Sequence, residues 1–161
     1  MKIEELSTRD WDDVWPIVRE VIRAEETFPY DAAMSSAQAK QVWIQPEPFR
    51  AVVARDHGET LGTANMGPNR AGPGAHIATA SFMVASSARG RGVGTALCEY
   101  ALDWARGGGY DGMQFNAVVE LNKAAVKVYE RLGFEIVGTV PGAFAHPKAG
   151  KVGSHIMFCK F

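Results

Sequence analysis

Ala80-Ser81-Phe82-Met83-Val84, followed after four residues by Arg89-Gly90-Arg91-Gly92-Val93-Gly94-Thr95, is the stretch that decides the fold. The first run is apolar and short, as a strand is. After the glycines, Val93, Ala96, Leu97, Tyr100 and Trp104 recur at helical spacing. A strand therefore ends, a glycine-rich turn follows, and a helix begins. The first N–H groups of that helix lack intrahelical partners and point at the turn, where glycine lets a ligand come close to the backbone. Free N–H donors and the positive end of the helix dipole both favour an anion, so the stretch reads as a phosphate seat. Spacing alone would arise by chance in roughly one such chain in seven, so a second feature is needed.

The chain has 161 residues, 47% hydrophobic and 22% charged, with a net charge of −1. That length and balance predict a single domain over residues 1–161 with a sizeable core. No cluster of Lys and Arg suggests a nucleic-acid or membrane footprint. The N-terminal Met1-Lys2-Ile3-Glu4-Glu5-Leu6 reads as a charged short strand rather than a signal peptide. Cys98 and Cys159 are isolated and read as reduced core residues, which predicts a cytoplasmic protein. His57, His76, His146 and His155 show no metal-ligand spacing, so no metal is expected.

Outward from the glycine-rich turn, the predicted order begins with a strand over Lys2 to Ser7. A helix follows on Val14, Ile17, Val18 and Val21, with Pro16 in its first turn or at a kink. Ser35 or Ser36 caps a second helix to about Ile44. Arg50 to Arg55 and Thr60 to Met66 form a hairpin, and His76 to Val84 is the next strand. The helix after the glycines stops at Gly107-Gly108-Gly109. Gly112 to Val119 reads as a strand, Asn122 to Leu132 as a helix, Phe134 to Val140 as a strand, Pro141 to Gly150 as a loop and Val152 to Lys160 as a final strand. A hairpin sheet followed by strand–helix–strand–helix–strand predicts an α/β (α+β) fold with a mixed sheet and helices on both faces.

The second feature is that penultimate helix. Asn122 is a natural N-cap, Tyr129 lies two turns on along one face, and Gly133 with Phe134 behind it is a natural stop. Taken together, Arg89-x-x-Gly92-x-Gly94 and Asn122-x-x-Ala125-x-x-x-Tyr129-x-x-x-Gly133-Phe134 resemble the paired signature of the GCN5-related N-acetyltransferases, strongly over about Ala80 to Val140. The resemblance implies a mostly antiparallel sheet of six or seven strands, splayed between the fourth and fifth, with acetyl-CoA in the opening and no metal. It implies that Arg89, Gly90, Arg91, Gly92, Val93, Gly94 and Thr95 hold the pyrophosphate. The pantetheine chain would pair with Phe82, Met83 and Val84 like an added strand. Asn122 would bind the pantetheine region, and Tyr129 would face the departing sulfur as proton donor.

The reaction implied is direct acetyl transfer to the primary amine of a small molecule or amino acid in a ternary complex. The short Glu26-Thr27-Phe28 loop is similar to phosphinothricin-type members. A protein N-terminus or lysine as acceptor, or a non-catalytic acyl-CoA-binding module, are the alternatives. A lysine-like amine, with pKa near 10.4, is neutral in only about one molecule in a few thousand at pH 7, so a base or desolvation is needed. The fifth strand, Met113 to Val119, contains no acid, and neither does the fourth. Glu26 is the first choice of base, followed by His76 and by a water held on Asn116; Glu120 follows the fifth strand. The acceptor pocket of such a fold points to Phe28, Tyr30, Asn65, Met66, Asn116, Phe144 and His146. The partner expected is a small amine, with no nucleic acid and no membrane; a homodimer is left open.

Overall fold

The computed structural model describes residues 1–161. Strand β1 (Lys2–Glu5) leads into Ser7, whose N–H and hydroxyl both donate to the Asp10 carboxylate, at 3.0 and 2.6 Å. This reciprocal cap starts a single 3-10 turn (Thr8–Asp10) that runs on into α1 (Trp11–Ala24), and Pro16 lies beyond the first turn of α1. Trp11, Val14, Ile17, Val18 and Ile22 form its buried stripe, and Glu25 ends it in the left-handed region with φ 53°. Helix α2 (Ser36–Trp43) begins on a second reciprocal cap, between Ser35 and Gln38.

Strands β2 (Arg50–Asp56) and β3 (Glu59–Pro68) are joined by His57 and Gly58, both at positive φ, as a tight two-residue hairpin turn requires. Then come β4 (Ile77–Val84), α3 (Val93–Gly107), β5 (Gly112–Val119), α4 (Lys123–Arg131), β6 (Glu135–His146) and β7 (Gly150–Lys160). The seven strands form one sheet in the order β1-β2-β3-β4-β5-β7-β6. Every neighbouring pair is antiparallel except β4 with β5.

Helices cover both faces, and β3 shows how. The indole N–H of Trp43 in α2 donates to Thr63 Oγ1 at 2.9 Å, and that hydroxyl donates to the Val52 carbonyl at 2.8 Å. The adjacent Gly62 faces the other way: a Cβ there would lie 3.1 Å from Val93 and 3.3 Å from Leu97, both in α3. One core cluster of 33 buried residues runs through both layers. No helix is long and apolar enough to cross a membrane.

One expected loop is a strand. The segment from Pro141 onward does not leave the sheet: β6 continues to His146, pairing Phe144 with Val152 and His146 with Gly150. Proline cannot donate to a ladder, but β6 is an edge strand and Pro141 falls in a register irregularity between Val140 and Phe144, where no ladder bond is needed.

Candidate active site

Strands β4 and β5 pair only at Ile77 with Gly112 and Ala78 with Met113, then part. The register of β4 against β3 fixes what lies open in that gap. The Asn69 N–H donates to the Ile77 carbonyl at 2.7 Å, and the Ala85 N–H to Leu61 at 2.9 Å. Antiparallel pairs alternate, so Ile77, Thr79, Ser81, Met83 and Ala85 turn their backbone to β3. Ala78, Ala80, Phe82 and Val84 turn theirs the other way. Ala78 meets β5; Ala80, Phe82 and Val84 face the gap with no partner strand. Of the expected Phe82, Met83 and Val84, Met83 is therefore corrected: its backbone is committed to Thr63 and its side chain is 1% exposed.

The gap runs into the glycine-rich turn. Gly90 and Gly92 have φ +77° and +78°, and nothing lies within 4 Å of a Cβ built on either. The Arg91 N–H donates to the Ala88 carbonyl at 3.3 Å, and the first bond of α3 is Ala96 N–H to Gly92, at 3.0 Å. The N–H groups of Gly90, Gly92, Val93, Gly94 and Thr95 have no acceptor in the protein. They gather at the N-terminus of α3, an arrangement that fits a pyrophosphate. The two arginines divide. Arg89 is exposed and makes no ion pair. Arg91 is held by Glu59 at 3.3 Å and Asp56 at 3.6 Å, bracing the turn against the β2–β3 hairpin. Arg131, at the end of α4, brings a further guanidinium to Thr95, with Nη2 3.5 Å from Oγ1. Sequence reading missed it, because only the packing of α4 on α3 brings the two together.

At the middle of the gap is a cleft of about 190 Å³. Its walls are Thr27–Tyr30 from the loop after α1, Thr79–Phe82 of β4, Phe115–Val119 of β5, and Asn122 and Tyr129 of α4. Tyr129 packs on Phe115 with ring centroids 4.6 Å apart, and Phe115 stacks on Phe134 at 4.3 Å. The Tyr129 hydroxyl has no hydrogen-bond partner in the protein, and burial pushes its pKa well above the usual tyrosine range. It is a neutral phenol in the lining of the cleft, and its proton has no acceptor in the protein. Asn122 caps α4, its Oδ1 accepting from the Ala125 N–H at 3.3 Å. Opposite, a bulge in β5 sets Asn116 and Ala117 against Ile156 alone. Asn116 donates to Asn69 Oδ1 at 2.7 Å across the gap and accepts from Gln114 at 2.9 Å.

Phe28 and Tyr30 both line the cleft, their rings 5.4 Å apart, and burial raises the Tyr30 phenol. Asn65, Met66, Phe144 and His146 do not line it. Asn65 lies behind β4 and donates to the Trp43 carbonyl at 3.4 Å. Met66 is 1% exposed, because β3 is a central strand covered on both faces. Phe144 is buried in the β6–β7 hairpin, and His146 Nδ1 accepts the Lys148 and Ala149 N–H groups, closing that turn.

Glu26 adjoins the cleft wall but its carboxylate pairs with Lys148 at 3.8 Å, outside the lining. Glu120 accepts from the Gly153 N–H at 2.6 Å. His76 is exposed at the foot of β4. Thr79 and Ser81 are lining residues that the sequence reading passed over. Their signal was the alternation with Ala80 and Phe82. No group of three or more His, Cys, Asp or Glu side chains is placed to hold a metal ion.

The chain matches the family model described as the acetyltransferase (GNAT) family over residues 11–134. It is 49% identical to a GCN5-related N-acetyltransferase from Kribbella flavida, whose structure superposes with a TM-score of 0.96 over 99% of this chain and 97% of that one. It shares its fold with a phosphinothricin acetyltransferase from Sinorhizobium meliloti solved in complex with AcCoA: 20% identity, TM-score 0.88, 99% and 88% covered. Among curated relatives, it is 27% identical over 137 residues to the N-acetyltransferase aca1 of Schizosaccharomyces pombe, covering 76% of this chain and 66% of that protein. It spans 13% of another, protein SPT10 of Saccharomyces cerevisiae, at 29% identity over 85 residues, 53% of this chain.

Proposed function

Because the chain belongs to the acetyltransferase (GNAT) family, we propose that it carries the acetyl group of acetyl-CoA directly onto the primary amine of a small molecule, both substrates being held in the gap between β4 and β5. One observation carries this reading: the unpartnered backbone of Ala80, Phe82 and Val84 leads straight into the free N–H groups of Gly90 and of Gly92 to Thr95. An extended amide-bearing chain that ends in a pyrophosphate satisfies both at once. Arg89 and Arg131 supply the nearby positive charge, and Asn122 holds the amide end of that chain.

The chemistry follows from the walls of the cleft. The amine nitrogen attacks the thioester carbon, and its oxygen takes up negative charge. The Val84 N–H, turned into the gap, is the donor offered to that oxygen. When the carbon–sulfur bond breaks, the Tyr129 hydroxyl gives its proton to the sulfur; burial keeps that proton in place at neutral pH. The loop residues Phe28 and Tyr30 form the acceptor side together with Asn116. The small cleft favours a small acceptor over a protein segment. The free buried thiols Cys98 and Cys159 suit a reducing compartment such as the cytoplasm.

The test is an amine panel read by release of free CoA, paired with acetyl-CoA calorimetry on the Gly92→Val/Gly94→Val variant. Turnover of a small amine and loss of acetyl-CoA affinity in a variant that keeps its far-ultraviolet dichroism support the reading. Intact affinity in that variant removes the pyrophosphate assignment.

A further inference from the structure

We infer that the acceptor is a weakly basic amine, of pKa about 8 or below, on an uncharged aromatic or apolar skeleton, such as the α-amine of an amino-acid amide. The inference rests on the acetyl-transfer reading and narrows its substrate. It starts from the composition of the cleft wall: no carboxylate, ammonium, guanidinium or imidazole lines it. Its hydrogen-bonding side chains are neutral, namely Thr27, Thr79, Ser81, Asn116, Asn122 and the two phenols. Both phenols, Tyr30 and Tyr129, are raised by burial and stay protonated through neutral pH.

The charged groups around the cleft are engaged or outside it. On the loop side Glu26 pairs with Lys148, which reaches over from the β6–β7 turn beside His146. Past the end of β5, Glu120 is bonded to the Gly153 N–H. On β7, His155 stands opposite Val118, with its Nδ1 2.7 Å from Thr139 Oγ1. His76 lies at the foot of β4, and Lys123, Lys127 and Glu130 of α4 are exposed to solvent.

A protonated amine entering this cleft meets no counter-charge, and no side chain there can take its proton. The reacting species must arrive neutral. For an alkylamine of pKa about 10.4 that is roughly one molecule in a few thousand at pH 7, whereas for an α-amine of pKa 7.7–8.0 it is about one in ten. The site thus favours the weaker base by a factor of a few hundred before any contact is made. A free amino acid carries a carboxylate, which finds no cation in the wall. The facing rings of Phe28 and Tyr30 instead offer an apolar wall for an aromatic or aliphatic side chain.

The balance of the step needs no protein base. The neutral amine forms the carbon–nitrogen bond, the carbon–sulfur bond breaks, and Tyr129 protonates the sulfur. The proton lost from nitrogen leaves to water and returns to the phenolate.

Three probes of one skeleton test this: phenylalaninamide, 2-phenylethylamine and phenylalanine, with saturating acetyl-CoA and the full chain, followed by CoA release from pH 6 to 9.5. At pH 7 the amide is expected to exceed 2-phenylethylamine in kcat/KM by about 100-fold or more. The gap should close as pH rises, each amine gaining tenfold per pH unit up to its own pKa, with phenylalanine below the amide throughout. An inflection shared by all three probes between pH 6 and 8 would reveal a protein base and overturn the inference. Parity of 2-phenylethylamine with the amide at pH 7, or a silent amide, would do the same. Calorimetry of acetyl-CoA on the same preparation separates the two levels. Cofactor bound with only strong bases turned over sinks the inference and leaves acetyl transfer standing. No cofactor bound and no CoA released with any amine sinks the parent reading.

Discussion

In the proposed transfer Tyr129 is the proton donor, and its hydroxyl can be separated from its ring. The ring belongs to the packed group of Phe82, Phe115 and Phe134, which Phe preserves. Tyr129→Phe is therefore expected to lower kcat by about 100-fold or more, the range of a lost general acid, with the acetyl-CoA Kd changed less than about threefold. Steady-state kinetics beside calorimetry checks both, and an unchanged kcat would remove the proton-donor role. The two arginines of the turn give a second residue-level contrast. Arg89 is free to meet a phosphate, and losing such a charge-assisted contact costs about 1.5–3 kcal/mol, or roughly tenfold to a hundredfold in affinity. Arg91 is already paired with Glu59 and Asp56, so its replacement acts only through the shape of the turn. Arg89→Ala should thus weaken acetyl-CoA far more than Arg91→Ala; the reverse order in calorimetry would disprove the division.

The root of the gap requires a glycine. Gly112 starts β5 where it joins β4 at Ile77, and a Cβ there would sit 2.7 Å from the Cys159 carbonyl oxygen and 2.8 Å from the Phe158 ring. Backbone cannot step aside as a flexible side chain can. Gly112→Ala should therefore cost about 1–3 kcal/mol in urea unfolding, the usual range for overpacking, and loss below about 0.5 kcal/mol would contradict the crowding. The glycine-rich turn and α4 were legible in the sequence because their determinants are local. Gly90 and Gly92 announce positive φ, Asn122 announces a cap, and Gly133 with Phe134 announces a stop. The opposite wall of the cleft was not, because its determinants act between elements. Asn65 pairs with Ser81 on one face of the sheet, yet only Ser81 lies at the gap. The bulge that presents Asn116 is set by the register of β5 against β7. The engagement of Glu26 depends on Lys148, far along the chain in a hairpin that reads as a loop because of Pro141.

Over the whole molecule, the sheet divides into an antiparallel β1–β4 part and a β5-β7-β6 part that touch along only the first residues of β4 and β5. Helix α3, which connects the two parts, carries the buried Cys98. Burial, followed by the fields of Cys159 and Glu99, pushes its thiol up from 9.0 to about 12. Below about pH 9 the thiol is protonated in both folded and unfolded chains, and its contribution is fully present. Between about pH 9 and 12 the unfolded chain releases that proton while the folded chain keeps it, so stability falls as pH rises, by up to about 1.4 kcal/mol per pH unit. Burial of Cys159 adds in the same direction, and the tyrosines add only above about pH 10. Urea unfolding of the native chain should therefore show a falling free energy from pH 8.5 to 10. Cys98→Ala, about 1 kcal/mol less stable at pH 7 from the atom removed, should fall less steeply over the same interval. Parallel curves for the two proteins would mean that the Cys98 thiol is not what links this core to alkaline pH.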